Sequence, residues 1–507
     1  MSLLRQILFR GITRPRRVAI TDDQRTYTFF QICVGAFYAA KAIRRATDKP
    51  HVGILLPTSG GFTIALLGCW LARKTPVPLN YLLSQDELDH VVADSGIDLI
   101  VTAGKMVDAI NDLGVDLAAL PGQPTLLKME ELKFSGLPPL VWPAKLATDD
   151  VAVLLYTSGT SGKPKGVMLT EGNLQNNIAD AIEHAKLNDA FVFVGVLPQF
   201  HTFGLTVLTL MPLYMGGKVV YTARFNPRKL VKLIKTHQAD IMVAVPSMYA
   251  ALMSVKKAVP DDFASLQLVI SGGEPLPAAV YDGFKEKFDV EILEGYGLTE
   301  TSPVTNWSTP ERKRQNSVGP ALPQVRNVIV DEQNNVLGPD QEGEILITGP
   351  NVMKGYFQLP ELTDQVMVEL DVPGLGPSRC FRTGDIGKVD AEGFLYITGR
   401  KKEMLIIGGE NVFPREIEEV LNRHASVHAS AVIGMACDSR GEQALAYVEL
   451  EEGAAFDEAA LRQHCREGMA GFKVPKEIRQ LDQLPRNPTG KIQRRALKAD
   501  CVPRDMG

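Results

Sequence analysis

Val151-Ala-Val-Leu-Leu-Tyr-Thr-Ser-Gly-Thr-Ser-Gly-Lys-Pro-Lys-Gly166 decides the reading of this 507-residue chain. Val151 to Leu155 is an apolar run of strand length. Leu174, Ile178, Ala181 and Ile182 recur at helical spacing beyond it, so residues 156–166 read as a polar loop between two core elements. Gly159, Gly162 and Gly166 free backbone N–H groups there. The hydroxyls of Thr157, Ser158, Thr160 and Ser161 add donors, and Lys163 or Lys165 adds charge, a combination suited to phosphate oxygens. The loop is not a P-loop. Pro164 stands where the second glycine would fall, and no Ser or Thr follows Lys165 to reach Mg²⁺.

Further motifs follow in order: Leu197-Pro-Gln-Phe-His-Thr-Phe-Gly204, Ser271-Gly-Gly-Glu-Pro-Leu276, Glu294-Gly-Tyr-Gly-Leu-Thr-Glu300, Phe381-Arg-Thr-Gly-Asp385, Gly399-Arg-Lys-Lys-Glu403 and Pro485-Arg-Asn-Pro-Thr-Gly-Lys491. Together with the first loop, the set resembles the signatures of the adenylate-forming superfamily, which includes acyl- and aryl-CoA ligases, peptide-synthetase adenylation domains and luciferase. The resemblance runs from about residue 50 to 495.

Composition narrows the partners. A net charge of −5, with Lys and Arg spread rather than blocked, gives no nucleic-acid surface. The six cysteines show no C-x-x-C pair, which fits reduced thiols and a cytoplasmic protein. His424 and His428 are four apart but lack a third ligand, so no structural metal site is expected. Arg5 and Arg10 interrupt the apolar pattern of Leu3, Leu4, Ile7, Leu8 and Phe9. The start therefore reads as a short helix packed on the domain, with peripheral membrane contact as the alternative. Phe191 to Gly217 carries no charge, yet Pro198, Gln199, His201, Gly204 and Pro212 interrupt it; a buried strand, loop and helix is expected, not a transmembrane span.

Short apolar runs alternate with helical patterns through the first two-thirds, at Val52 to Leu56, Leu99 to Val101, Val151 to Leu155, Ile241 to Val245 and Leu266 to Ile270. This predicts an α/β fold with largely parallel sheets and ligand loops at the strands' carboxyl ends. From about 315 to 398 the texture is β-rich, suiting a distorted barrel. An α+β tail follows, whose segment Arg415 to Leu421 places Ile417, Val420 and Leu421 on one helical face. The resemblance implies a large N-terminal domain, residues 1–400, and a small mobile C-terminal domain, residues 401–507.

An acid becomes reactive toward a thiol when its oxygen is converted into a good leaving group, as in a mixed anhydride with AMP. Bringing two anions to about 4 Å costs about 4 kcal/mol at an effective dielectric of 20, so cations must converge. The resemblance implies Lys491 as the catalytic lysine, with Thr299 beside Glu300 and Glu300 as the Mg²⁺ ligand, a lone carboxylate suiting an ion that keeps its waters. It implies an ATP site of Thr157, Ser158, Gly159, Thr160, Ser161, Gly162, Lys165, Gly272, Gly273, Glu274, Glu294, Gly295, Tyr296, Gly297, Thr299, Asp385, Arg400 and Lys491. Within that set Tyr296 would stack on adenine, Glu294 accept from its amine and Asp385 hold the ribose hydroxyls. The resemblance also implies Lys402 at the hinge of a domain rotation and Gly408 and Gly409 in the lining of a pantetheine tunnel.

Phe200, His201, Gly297 and Ser302 are the expected acyl-substrate residues. His201 stands where relatives that activate amino acids carry an Asp, and Phe200, Phe203, Leu205 and Val243 to Met248 are mostly apolar. The reading favours an ATP-dependent fatty acid–CoA ligase, with CoA as thiol and acyl carrier protein as the alternative acceptor. An aryl-CoA ligase and a non-catalytic nucleotide sensor are the other readings. Intact Lys491, Glu300, Asp385 and Arg400 weigh against the sensor.

Overall fold

The computed structural model describes residues 1–132, 147–158, 163–407, 410–437, 441–486 and 492–499. Its centre is an eight-stranded sheet with six parallel strands in the order Leu293–Gly297, Leu268–Ser271, Ile241–Ala244, Val192–Gly195, Lys218–Tyr221 and Val18–Thr21. Antiparallel strands Val304–Trp307 and Thr26–Thr28 close its edges. Ile241–Ala244 and Leu268–Ser271 are buried at every residue, as strands covered by helices on both faces must be. A second, wholly parallel sheet orders Thr75–Pro78, His51–Ile54, Leu99–Thr102 and Thr125–Lys128.

The parallel strands of the central sheet align four motif loops. Residues 196–202, 245–248, 272–276 and 298–303 each follow the carboxyl end of one of four successive strands, where open α/β sheets gather ligand-binding groups. The uncharged stretch from Phe191 behaves as expected: strand Val192–Gly195, a loop, then a helix that begins as a wide π-type segment at Phe203–Leu210. No helix among the described residues is long and apolar enough to cross a membrane. The first helix, Leu3–Thr13, buries Leu3, Leu4, Ile7 and Leu8 against the domain while Phe9 and Ile12 face outward.

One local expectation is corrected. The glycine-hydroxyl stretch does not lead from a strand into a helix; Val151–Ser158 and Pro164–Thr170 are the two arms of an antiparallel hairpin, with Thr157 opposite Lys165. Tyr156 to Ser158 and Pro164 to Gly166 thus belong to strands, and Val151 to Leu155 is no part of the parallel sheets. Helix Glu171–His184 starts only after the second arm, where Thr170 and Asn173 exchange reciprocal capping hydrogen bonds. No helix therefore begins at this turn; the nearest starts at Glu171.

The β-rich region is a five-stranded antiparallel sheet of Arg326–Val330, Gly343–Thr348, Met367–Val372, Gly376–Val389 and Leu395–Arg400. The tail has its own sheet, in which Val427–Cys437 and Gly441–Leu450 form the long central hairpin, and its own core around Leu405, Ile417, Leu421, Val432, Leu461 and Ile478. Helix Pro414–Leu421 buries Ile417 and Leu421; Val420 is half-covered, and Glu418 is buried for a reason given below.

Candidate active site

Gly297 ends its strand where a Cβ would lie 1.9 Å from the Pro303 carbonyl oxygen, so only glycine lets the next turn fold back. That turn, Thr299–Thr301, carries Glu300. The Glu300 Oε1 accepts a hydrogen bond from the Tyr356 hydroxyl at 2.8 Å. Ser302 is fully buried in the same turn, with a left-handed backbone (φ 74°) and its hydroxyl donated to the Asn351 carbonyl at 2.8 Å. Thr299 immediately precedes Glu300 on that turn.

Across from it stands the hairpin. The Lys165 ammonium lies 4.8 Å from the centre of the Tyr356 ring. Burial lowers the Lys165 pKa, nearby Glu300 opposes that shift, and the Lys402 charge adds to it, so Lys402, the hairpin and the Glu300 turn share one electrostatic neighbourhood. The hairpin is braced from behind: Tyr156 donates to Asp94 at 2.5 Å, and His90 Nε2 lies 3.0 Å from the Pro164 carbonyl. Thr157 lies on the first arm; Gly159, Thr160, Ser161 and Gly162, with the Ser158 side chain, fall outside the described residues.

Tyr296, Asp385 and Arg400 meet. The Tyr296 hydroxyl donates to Asp385 Oδ2 at 2.5 Å, and the Arg400 Nε lies 3.2 Å from Oδ1 of the same carboxylate. Burial and the Asp385 charge raise the Tyr296 phenol, which stays a donor. Glu294, on the same strand as Tyr296, is pushed up to about 7 by burial, partly offset by Arg415 and the Leu276 backbone. Beside it, Gly272 brings the 272–274 turn against the Phe203 ring, which a Cβ would approach to 3.0 Å, and Gly273 takes a left-handed φ of 82°. Glu274 lies within electrostatic reach of Arg494. Gly295 sits between Glu294 and Tyr296 on the strand paired with Val304–Trp307.

His201 is enclosed: burial drives its pKa down to about 4, and among the described residues its Nε2 has no hydrogen-bond partner. Its ring packs 4.7 Å from Phe200, which meets Tyr81 edge-on at 4.8 Å. At neutral pH the imidazole is therefore uncharged.

Lys491, Gly408 and Gly409 lie outside the described residues. The segments on either side of Lys491 are tied together: Arg486 and Ile492 form an antiparallel bridge, and Gln493 N–H donates to the Pro485 carbonyl at 2.7 Å. Arg494 then pairs with Glu418 at 2.7 Å and Glu403 at 3.0 Å, which is why Glu418 is buried. Sequence spacing gave no signal for Tyr356, Arg415 or Arg494, because each acts on a residue tens of positions away.

For Mg²⁺ the donor set fits. Glu300 offers one carboxylate, and among the described residues no group of three His, Cys, Asp or Glu could enclose an ion. A cation held here would keep waters and take phosphate oxygens.

The chain belongs to the AMP-binding enzyme family: that family's model matches residues 11–357, and the model for the AMP-binding enzyme C-terminal domain matches residues 416–491. It stands beside acyl- and aryl-CoA ligases of the adenylate-forming superfamily. It is 30% identical over 489 residues to a feruloyl-CoA synthase from Amycolatopsis sp, covering 95% of this chain and 96% of that protein. To a long-chain-fatty-acid–CoA ligase from Bacillus subtilis it is 30% identical over 540 residues, covering 97% and 94%. Its structure superposes on ATP-bound MatB from Rhodopseudomonas palustris with a TM-score of 0.87 at 30% identity, covering 99% of both chains.

Proposed function

We propose that this chain joins an organic acid to CoA in two half-reactions at one site, using ATP. In the first, a carboxylate oxygen attacks the α-phosphorus, the bond to the bridging oxygen breaks, and pyrophosphate leaves with the electron pair. In the second, the thiol sulfur attacks the acyl carbon of the acyl-AMP, its proton passes to solvent, and AMP departs on its phosphate oxygen.

The observation that carries this reading is the Tyr296–Asp385–Arg400 cluster. Residues 89 positions apart, on the central sheet and the antiparallel sheet, meet at 2.5 Å, with Glu294 on the same strand and the Gly272-Gly273 turn beside it. Asp385 would take the ribose hydroxyls, and Tyr296 would back the adenine. The hairpin residues 157–162 with Lys165 would hold the outer phosphates. Lys491 would span the carboxylate and α-phosphate. Glu300 would hold Mg²⁺, which when bound neutralises and orients phosphate oxygens. Residues 1–400 and 401–507 would act as two domains, with rotation at Lys402 withdrawing Lys491 and bringing Gly408 and Gly409 to the thiol.

A fatty acid is the favoured substrate. Phe200, His201, Gly297 and Ser302 would line its path, and a neutral His201 among Phe200, Phe203 and Leu205 offers no charge to pair with an amino acid's ammonium group. An aromatic acid is the second reading, favoured by the cluster of Tyr81, Phe200 and His201 rings and by the feruloyl-CoA relative. Pyrophosphate exchange with a panel of acids tests both: exchange dependent on fatty acids supports the first, on aryl acids the second. ATP binding with no exchange for any acid overturns the enzyme reading. Supplying CoA and then acyl carrier protein to the productive acid identifies the acceptor.

A further inference from the structure

Lys165 and Glu300 carry opposite charges on facing elements, yet among the described residues neither forms an ion pair with the other. What stands between them is Tyr356. Its two-residue strand, Gly355–Tyr356, pairs antiparallel with Met168 and Val167 on the second arm of the hairpin. The Lys354 N–H donates to the Met168 carbonyl at 3.0 Å, and the Phe357 N–H to the Gly166 carbonyl at 2.7 Å. At the other end the Met353 N–H donates to the carbonyl of Glu300 itself at 2.8 Å. The backbone of 353–357 is thus stitched to both elements whose side chains it separates.

The Tyr356 side chain is buried and used on two sides. Its hydroxyl donates to Glu300 Oε1 at 2.8 Å, and the face of its ring meets the Lys165 ammonium at 4.8 Å. A ring quadrupole attracts a cation without neutralising it, and a phenol donor fixes one carboxylate oxygen while leaving the other to ligands. Among the described residues Glu300's second oxygen accepts no hydrogen bond. Direct contact between the two charges would be favourable, since both side chains are only partly exposed to solvent. It would also remove the lysine from the triphosphate and the carboxylate from the cation.

We propose that Tyr356 is a positioning residue that keeps Lys165 and Glu300 from collapsing into an internal ion pair, holding one toward the triphosphate and the other toward the divalent cation. The assignment rests on the ligase reading of this site.

Mn²⁺ binding, followed by electron paramagnetic resonance with a non-hydrolysable ATP analogue, tests it without turnover. Tyr356→Phe keeps the ring and removes only the hydroxyl: the Mn²⁺ Kd in the analogue complex should rise about tenfold, with metal-free analogue binding unchanged within about twofold. Tyr356→Leu removes the ring as well, so both affinities should fall, and its crystal structure should show Lys165 and Glu300 in ion-pair contact. A mere packing role would lower the Tm of both variants and leave the Mn²⁺ Kd alone, which overturns the proposal, as does Mn²⁺ binding by Tyr356→Phe equal to wild type. Failure of the unaltered protein to bind Mn²⁺ with the analogue would sink the ligase reading and this proposal together.

Discussion

Tyr296 donates its hydroxyl to Asp385 at 2.5 Å, and Arg400 approaches the other oxygen of that carboxylate at 3.2 Å. Asp385 is 3% exposed, so its charge is held by these two partners before any nucleotide arrives. Asp385→Asn removes the charge that would accept two ribose hydroxyls while keeping the shape. The Kd for ATP should rise about 10- to 100-fold, since each hydrogen bond to a charged group contributes about 1.5–3 kcal/mol. Calorimetric titration with ATP checks this; unchanged affinity would remove Asp385 from the nucleotide site.

The two half-reactions should separate by mutation. Lys491→Ala should reduce pyrophosphate exchange by about 100- to 1000-fold, the usual loss for one electrostatic stabiliser, while supplied acyl-AMP still yields thioester. Lys402→Pro should do the reverse, because a fixed φ at the proposed hinge would hinder rotation without touching the charges of the first step. Equal loss of both activities in either variant would misplace that lysine.

Strand ends, helix faces and motif order were legible because each is written within a few residues. Ile241–Ala244, Gly343–Thr348 and the face of Ile417 and Leu421 all read from local pattern. The hairpin was misread because Tyr156 to Ser158 and Pro164 to Gly166 are polar and glycine-rich, and only pairing across the turn makes them strands. Nothing local marks Tyr356 as the partner of Glu300, or Arg494 as the partner of Glu418. Those contacts exist only once the sheets bring distant segments together.

Glu294 gives a pH signature. Burial raises its pKa from about 4.5 to about 7, opposed by Arg415 and the Leu276 backbone and reinforced by Glu419. The folded state thus holds a proton that the unfolded chain releases. The stability this contributes is full below about 4.5 and is lost as pH rises through about 7. Glu294→Gln stays neutral throughout, so its Tm should fall less than that of wild type between about pH 5 and 8. Parallel Tm profiles for the two proteins would show that Glu294 is ionised in the fold.

Arg494 ties its segment to the small C-terminal domain, with Glu418 at 2.7 Å and Glu403 at 3.0 Å. The Glu418 side chain is only 10% exposed, so losing its partner strands a charge that also accepts the Val432 N–H at 2.8 Å. Arg494→Met keeps the stem and removes the guanidinium; breaking such a pair from one side costs about 3–5 kcal/mol. Denaturation of the full chain should show the C-terminal transition shifting to lower denaturant, with the N-terminal transition unmoved. Adenylation should also weaken, because Arg494 follows the tied segments that flank Lys491. Replacing both partners, Arg494→Met with Glu418→Gln, should recover much of the lost stability, since the stranded charge is gone. If the double variant recovers stability but not pyrophosphate exchange, Arg494 orients Lys491 as well as stabilising its domain. If it recovers neither, the pair is not what holds this segment.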